Sequence, residues 1–298
     1  MYKIRFSINK EMQNNMESRV VLIGKGSMIS KRLSANLTCK SIATSSRYGE
    51  SENFLDLSNF KGNEAKFINE KDTVIISAAI SSPDRCIAEY ELAKSINVTG
   101  TRKLIDYCLN VGARVIFLSS DSVYGDISSD KPISEAEPLR PLGNYAEMKA
   151  EIEDHFSNSN MFIALRLSYV ISCNDKYTKY LTSCIKNQNA AEIYHPFYRN
   201  SFWIGDLVDL VSLFLDNWPS LNSLNVGGPN LVSRIDMAKA YMSASKSVMK
   251  YNVVQPDSAF YNARPAQIPL NIDAFTNYLG RKPYNLKTAY EKELKLQL

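Results

Sequence analysis

RVVLIGKGSMIS (residues 19–30) joins a short apolar run to a turn that contains two glycines. Such a run, rich in β-branched residues, is typical of a strand that is buried on both faces. The residues that follow have a helical pattern, and a glycine turn between strand and helix lets backbone N–H groups approach a pyrophosphate. Serines stand at positions 27 and 30, where such turns usually carry small residues. The expected dinucleotide-binding residues of this turn are Gly24, Gly26, Ser27, Met28 and Ile29.

Four further apolar runs follow the first, at 41–47, 72–79, 113–120 and 162–170. Amphipathic stretches at 86–112 and 145–156 lie between the later runs. Buried strands that alternate with helices predict an α/β fold built on a Rossmann-type, doubly wound parallel sheet. Ligands of such sheets bind at the carboxyl ends of the strands.

After about residue 171 the pattern becomes polar and aromatic. We therefore expect a smaller C-terminal α/β lobe that binds substrate and closes over the ligand edge of the sheet. The predicted domains are a polar N-terminal extension (1–18), an NAD(P)-binding Rossmann domain (19–170) and mainly a substrate-binding lobe (171–298). Segments near 202–228 are expected to return to the Rossmann sheet.

The overall composition argues against several classes of protein. In 298 residues the net charge is only +4, and the basic residues are scattered, so a nucleic-acid surface is not expected. No apolar run approaches the roughly 20 residues of a membrane span. The start of the chain lacks the apolar stretch of a signal peptide. We expect no nucleic-acid partner and no membrane association.

Cysteine and histidine usage points in the same direction. The five cysteines include no Cys-x-x-Cys pair, which indicates reduced thiols in a cytoplasmic protein. The two histidines, His155 and His195, stand in no metal-ligand spacing. We expect neither a metal site nor a histidine-based nucleophile triad.

Two segments carry a Tyr-x-x-x-Lys spacing, YELAK (90–94) and YAEMK (145–149). Roughly one such match is expected by chance, so structural context must separate them. Tyr145 follows the strand-end segment SSDSVYGD (119–126) and opens a helix beside the sheet. Tyr90 lies within a helix whose apolar stripe of Ile87, Leu92, Ile96 and Leu104 is predicted to be structural. We therefore interpret Tyr90 and Lys94 as a packing and surface pair.

The second pair suits proton transfer. Reduction of a ketone produces a developing alkoxide that needs a proton, which a tyrosine can donate. A lysine ammonium one helical turn away is expected to lower the pKa of Tyr145, and a serine hydroxyl can polarise the carbonyl. Ser120, Tyr145 and Lys149 fit these catalytic roles.

The end of the second apolar run bears on the choice of cofactor. It reads TSSR, with Ser46 and Arg47 and without a carboxylate that could bind a ribose 2′-hydroxyl. A guanidinium and a hydroxyl suit a 2′-phosphate, so NADP(H) is favoured over NAD(H).

An ordered set of segments resembles the extended short-chain dehydrogenase/reductase family from about residue 19 to the C-terminus. These segments are SAAISSPDRC, NVTGTRKLIDYC, VIFLSSDSVYGD, YAEMKAEIE, LRLSYV, SFWIGDLVDLV, LNVGGP and RPAQIPLNIDAFTNYLG. The resemblance implies a catalytic triad of Ser120, Tyr145 and Lys149, of which the last two also contact the cofactor. It further implies that Asp56 and Leu57 flank the adenine and that Ala78 and Ala79 line the cofactor groove. Arg199 and Arg264 match positions that bind the diphosphate of a nucleotide-sugar, a role that two guanidiniums suit.

Within this family, SSDSVYG and LRLSYV resemble the dTDP-4-dehydrorhamnose reductases and similar nucleotide-sugar ketoreductases. This likeness places Ser120, Asp121, Ser122 and Tyr169 at the substrate. The 4-epimerases usually carry asparagine at the Tyr169 position, and the 4,6-dehydratases carry Asp-Glu where this chain has Asp121 and Ser122. NVTGTRKL and the Arg199 segment look epimerase-like instead.

The resemblance therefore implies an NADP-dependent reductase of a nucleotide-activated 4-keto-(6-deoxy)sugar. One alternative is a nucleotide-sugar 4-epimerase that retains its NAD(P), and a second is a non-catalytic NADP-binding relative. A homodimer through the helices around 86–109 and 145–156 is expected from the same resemblance.

Overall fold

In this computed structural model of the protein, residues 19–47, 49, 53–126 and 131–296 are described. The N-terminal extension predicted at 1–18 lies outside these ranges. The strands are Arg19–Ile23 (β1), Ser41–Ala43 (β2), Asp72–Ile76 (β3), Arg114–Ser120 (β4), Phe162–Leu167 (β5), Val170–Ile171 (β6), Ala191–Tyr194 (β7), Tyr198–Arg199 (β8), Phe202–Trp203 (β9), Ser223–Val226 (β10), Val232–Ser233 (β11), Tyr251–Val254 (β12) and Gln267–Ile268 (β13).

The α-helices are Met28–Asn36 (α1), Pro83–Ala88 (α2), Tyr90–Lys94 (α3), Thr101–Asn110 (α4), Asn144–Phe156 (α5), Lys176–Lys186 (α6), Ile204–Asp216 (α7), Arg234–Ser245 (α8), Ser258–Tyr261 (α9), Asp273–Leu279 (α10) and Leu286–Lys295 (α11). A π-helical turn, Ser95–Gly100, joins α3 to α4. Among the described residues, no helix is both long and apolar enough to cross a membrane.

The main sheet has six parallel strands in the order β10-β5-β4-β3-β1-β2, which confirms the predicted Rossmann-type fold. The order reverses between β1 and β3, and the crevice at such a switch point is where ligands bind in open α/β sheets. β2 is shorter than the predicted run of 41–47, because strand pairing with β1 ends at Ala43. Beyond it, the Thr44 amide still donates to the Leu22 carbonyl, and an isolated bridge pairs Ser45 with Phe54.

Side chains of β1 alternate between the two faces of the sheet, as a strand requires. Val21 and Ile23 pack on the face that also buries Leu104 of α4 and Ile152 of α5. Val20 and Leu22 pack on the opposite face, where residues of α7 and α10 cover the sheet. These four of the five β1 side chains are at most 1% exposed, so the strand is buried on both faces as its sequence predicts.

The helical region predicted at 86–112 is interrupted. α2 ends before Glu89, whose φ of −119° and ψ of 47° are not helical, and the chain then passes through α3 and the π turn. Leu104 is fully buried, but Ile87 is 56% exposed and Leu92 is 43% exposed. These two residues of the predicted stripe therefore do not pack in the core of the chain.

The remaining elements form a smaller unit over the carboxyl ends of the main sheet. β11, β8 and β13 form a three-stranded sheet, while β7 pairs with β12 and β6 pairs with β9. A separate apolar cluster holds this unit together, with Leu181 of α6, Tyr241 of α8 and Tyr290 of α11 at its centre. Part of this region returns to the main sheet, where β10 pairs with β5 as its edge strand and α7 and α10 pack on one face.

Candidate active site

An open cleft of about 1460 Å³ lies along the carboxyl ends of β1, β3 and β4. Pockets for a single small ligand usually span roughly 300 to 1000 Å³, so this cleft has room for two. Its lining includes the predicted cofactor residues Gly24, Gly26, Ser27, Met28, Ile29, Ser46, Arg47, Asp56, Leu57, Ala78 and Ala79. It also includes Ser120, Tyr145 and Tyr169.

The glycine turn is built for close approach of a ligand. Gly24 has a φ of 95°, and a Cβ atom there would lie 3.0 Å from the Cβ of Ala78. A Cβ at Gly26 would meet no atom within 4 Å, so this position opens into the cleft. Ser27 is the N-cap of α1 and accepts a hydrogen bond from the Ile29 amide at 3.2 Å. The N-terminus of α1 thus faces a space that fits a pyrophosphate.

Ser30 explains how this turn tolerates a serine where dinucleotide folds often have glycine. Its side chain is buried, and its Oγ lies 2.6 Å from the Oγ of Ser77 at the end of β3. Ser77 in turn donates to the carbonyl of Ile23 at 2.8 Å. The hydroxyl therefore joins α1 to β1 and β3, so that helix and sheet pack closely.

At the far end of the cleft, Ser46 and Arg47 are exposed just beyond β2. Asp56 caps a short 3₁₀ turn by accepting a hydrogen bond from the Ser58 amide at 2.9 Å, so its carboxylate is partly engaged. Thr44 was missed by the sequence reasoning. It lines the cleft, and its Oγ1 accepts a hydrogen bond from the Gly24 amide at 3.2 Å.

The proposed catalytic residues come from two neighbouring elements. Ser120 ends β4, and its Oγ accepts hydrogen bonds from the Ser122 amide at 3.2 Å and the Ser122 hydroxyl at 2.9 Å. Tyr145 is half-buried in the first turn of α5. One turn later, Lys149 Nζ donates to the Leu118 carbonyl at 2.7 Å and lies 5.8 Å from the centroid of the Tyr145 ring.

Burial controls the protonation of this pair. Desolvation, with smaller contributions from Cys86 and Asp121, raises the pKa of Tyr145 above its usual value. Desolvation also lowers the pKa of Lys149 to about 8, although the charge of Glu153 opposes this effect. Desolvation therefore outweighs any lowering of the pKa of Tyr145 by Lys149, and the net pKa is raised rather than lowered. A tyrosine that stays protonated is nevertheless suited to donate a proton.

The structure places the predicted substrate residues in different surroundings. Asp121 and Arg199 are buried next to Ser120, with 3.7 Å between Arg199 Nε and Asp121 Oδ2. Arg264 instead forms a 2.6 Å ion pair with Asp84 of α2. The two arginines that were predicted to bind the diphosphate therefore each contact a different carboxylate. Tyr169 lines the cleft, and its hydroxyl donates to Asp175 at 2.6 Å.

The sequence profile of the RmlD substrate binding domain family matches residues 18–296, almost the whole chain. The chain belongs to this family. The dTDP-4-dehydrorhamnose reductase of Mycolicibacterium smegmatis is 22% identical over 258 residues, which cover 85% of this chain and 77% of that protein.

Solved structures share the fold at low sequence identity. The dTDP-4-dehydrorhamnose reductase of Bacillus anthracis in complex with NADP superposes with a TM-score of 0.80 at 19% identity, over 94% of this chain and 100% of that one. The UDP-glucose 4-epimerase of Thermus thermophilus in complex with NAD gives a TM-score of 0.79 at 16% identity, with the same coverage. The homologues and structural neighbours thus include NAD(P)-dependent sugar reductases and epimerases.

Behind Tyr145 and Lys149 of this RmlD-family chain lies a buried polar network that the sequence reasoning missed. Glu153, one turn after Lys149 on α5, accepts hydrogen bonds from the Ser119 hydroxyl and from Arg166 Nε, the latter at 2.8 Å. Arg166 also donates to the Tyr124 hydroxyl at 2.7 Å, which itself donates to Asn225. The sequence does contain one indication of this network. Arg166 is a charged residue inside an apolar strand, and such a residue needs a buried partner.

Proposed function

We propose that this chain is an NADP(H)-dependent reductase of a nucleotide-activated 4-keto-(6-deoxy)sugar. The observation that carries the proposal is that Ser120 and Tyr145 line the same cleft as the glycine turn, with Lys149 buried directly behind them. A proton donor, a carbonyl-polarising hydroxyl and a dinucleotide cradle thus share one cavity. Membership of the RmlD family supports the same substrate class.

When bound, the cofactor supplies the hydride that reduces the sugar carbonyl. Side chains of the protein supply the proton and the electrostatic stabilisation. Tyr145 donates the proton to the carbonyl oxygen, and its raised pKa keeps that proton in place at neutral pH. The Ser120 hydroxyl is held by Ser122 and donates to the same oxygen. The ammonium of Lys149 stabilises the negative charge that Tyr145 acquires after the transfer.

The choice of NADP(H) over NAD(H) rests on the end of β2. The described residues there, 44–47, offer hydroxyls and the Arg47 guanidinium to a 2′-phosphate and contain no carboxylate that would repel it. The UDP-glucose 4-epimerase neighbour binds NAD, whereas the dTDP-4-dehydrorhamnose reductase neighbour binds NADP. Affinities for NADPH and NADH, measured by nicotinamide fluorescence, test this point. A tighter complex with NADH would contradict it.

The proposed activity is tested by mixing the purified chain with NADPH and a panel of nucleotide-linked 4-keto-6-deoxysugars. Absorbance at the nicotinamide band reports oxidation of NADPH. Loss of one NADPH per sugar reduced, with one member of the panel, is the expected result and names the substrate. Conversion between sugar epimers without net loss of NADPH would replace the proposal with a 4-epimerase.

We also propose that the Rossmann unit at 19–170 holds the cofactor, and that the nucleotide-sugar binds mainly to 171–298. A homodimer is proposed through the helices around 86–109 and 145–156, because Ile87 and Leu92 expose apolar side chains there. Light scattering after gel filtration should give twice the chain mass. Ile87→Asp should shift the mass toward the monomer, and a monomeric parent protein would contradict the proposal.

A further inference from the structure

The carboxylate of Glu293, in the last turn of α11, is buried and held by four hydrogen-bond donors. Its Oε2 accepts from Arg32 Nη2 at 2.7 Å, and from the Ser172 hydroxyl and the Cys173 amide at 3.0 Å each. Its Oε1 accepts from the indole N–H of Trp203 at 2.7 Å. A carboxylate offers about four acceptor positions, so this one is fully engaged and fixed in place. None of these residues takes part in the proposed chemistry.

Arg32 connects this cluster to the cofactor side of the cleft. It lies on α1, one turn after Met28, and the N-terminus of α1 faces the space that fits a pyrophosphate. The side chain of Arg32 is 16% exposed, and its ion pair with Glu293 joins residues 261 positions apart. Because a helix is a rigid element, a ligand that fixes the N-terminus of α1 also fixes the backbone from which Arg32 extends.

Ser172 and Cys173 connect the same cluster to the substrate side of the cleft. They lie in the middle of residues 168–176, which we call the wall segment because its residues Tyr169 and Asp175 line the cleft. The Ser172 amide donates to Asp175 at 3.0 Å, and the Tyr169 hydroxyl donates to Asp175 at 2.6 Å. Glu293 therefore holds the wall segment at its midpoint, and Asp175 connects that point to Tyr169.

These contacts form a continuous buried path between the two sides of the cleft. Glu293, Ser172 and Asp175 are each at most 5% exposed, so water does not compete for their hydrogen bonds. The ion pair of Arg264 with Asp84 also crosses the cleft, but the Asp84 side chain is 73% exposed and its contact is readily replaced by water. A ligand that orders one end of a buried path lowers the ordering cost that a second ligand pays at the other end.

We infer that Glu293 is a positioning residue that couples the two sides of the cleft. A cofactor bound at α1 holds Arg32 and Glu293 in place, and through the wall segment it strengthens the binding of the nucleotide-sugar. This inference rests on the proposed function, since it takes a nucleotide-sugar as the second ligand. Linkage makes the effect reciprocal, so the nucleotide strengthens cofactor binding by the same factor, and such couplings typically amount to roughly 5- to 150-fold.

The test measures binding of UDP and dTDP to the cofactor-free full chain by titration calorimetry, with and without saturating NADP⁺. In the parent protein, NADP⁺ should tighten the better-binding nucleotide by roughly 5-fold or more. Arg32→Met removes only the link to α1, because Glu293 keeps its three other donors. In this variant NADP⁺ should no longer change the nucleotide affinity, while the affinity without NADP⁺ should match that of the parent. Arg32→Lys keeps the charge and should retain part of the coupling.

Two further variants separate coupling from stability. Arg281→Met is the matched control, because Arg281 also pairs with a buried carboxylate, that of Asp206 at 2.8 Å, but joins the region after α10 to α7. It should lower stability and leave the coupling intact. Glu293→Gln should abolish the coupling, and the double variant with Arg32→Met should lose no more than either single change. If circular dichroism shows that Glu293→Gln does not fold, the Arg32 variants decide alone.

Kinetics give an independent readout. With an active sugar and saturating NADPH, Arg32→Met should raise KM more than it lowers kcat, whereas a loss of folded enzyme would lower kcat alone. The inference is overturned if NADP⁺ leaves nucleotide binding to the parent unchanged, if Arg32→Met keeps the coupling, or if Arg281→Met loses it too. Absence of nucleotide binding under both conditions would also overturn it. NADPH oxidation with the sugar panel judges the proposed function separately.

Discussion

Residues 90–94 and 145–149 share a Tyr-x-x-x-Lys spacing, and the structure places the two pairs in opposite environments. The lysine Nζ lies 5.7 Å from the tyrosine ring centroid in the first pair and 5.8 Å in the second. Tyr90 is 39% exposed and Lys94 is on the surface, whereas Lys149 is 4% exposed behind the cleft. Helical spacing therefore sets the distance within each pair, and burial beside the glycine turn decides which pair can act on a ligand.

The largest expected effect comes from removing the two tyrosine hydroxyls in turn. Tyr145→Phe should lower kcat by roughly 10²- to 10⁴-fold, because general acid catalysis contributes about that much. NADPH affinity, measured by fluorescence, should remain within a few-fold of the parent. Tyr90→Phe is the matched control and should keep full activity. Equal losses in both variants would remove the distinction between the pairs.

The two Tyr-x-x-x-Lys pairs also differ in the residue four positions after the lysine. It is the apolar Val98 after Lys94, but Glu153 after Lys149. Glu153→Gln should lower the free energy of unfolding by about 3 to 5 kcal/mol, because it leaves the charge of Arg166 buried without its partner. Urea unfolding followed by circular dichroism measures this change. Glu89→Gln breaks the exposed ion pair with Arg85 and should leave the unfolding midpoint unchanged within error.

The smallest effect is a dependence of stability on pH. The pKa of Lys149 is lowered to about 8 in the folded chain, below the value of an unfolded lysine. Between these two values the unfolded chain binds more protons, so the contribution of Lys149 to stability rises with pH. Below pH 8 its burial destabilises the fold in full.

The unfolding free energy of the parent should therefore rise relative to Lys149→Met by about 1 kcal/mol per pH unit above pH 8. Urea unfolding of both chains at several pH values measures this difference, and Lys94→Met serves as the matched removal of an exposed lysine. A difference that stays constant or falls as pH rises would show that the Lys149 ammonium is not desolvated.

The sequence predicted the sheet because its strands are short, apolar and β-branched, and such runs have few alternatives to a buried parallel strand. It also predicted the glycine turn, whose residues are neighbours along the chain. The sequence did not predict contacts between residues that are far apart along the chain. The ion pair of Arg264 with Asp84 joins residues 180 positions apart, and the identity of neither residue predicts its partner.

The same limit applies to Tyr145, the proposed proton donor. Its pKa depends on how completely α5 and the strand ends exclude water, which no local pattern encodes. The break at Glu89 was likewise invisible, because YELAK and its flanks are good helix formers.

The position of β10 at the edge of the main sheet has a consequence for synthesis. Ser223–Val226 pairs with β5, and Asn225 donates its side-chain amide to the carbonyls of Ile133 and Asn271. A nascent chain that has emerged only through β5 exposes an unpaired strand edge until residue 226 leaves the ribosome. The Rossmann half therefore cannot complete its sheet during translation until residue 226 has emerged, and the exposed edge of β5 is prone to aggregation during this interval.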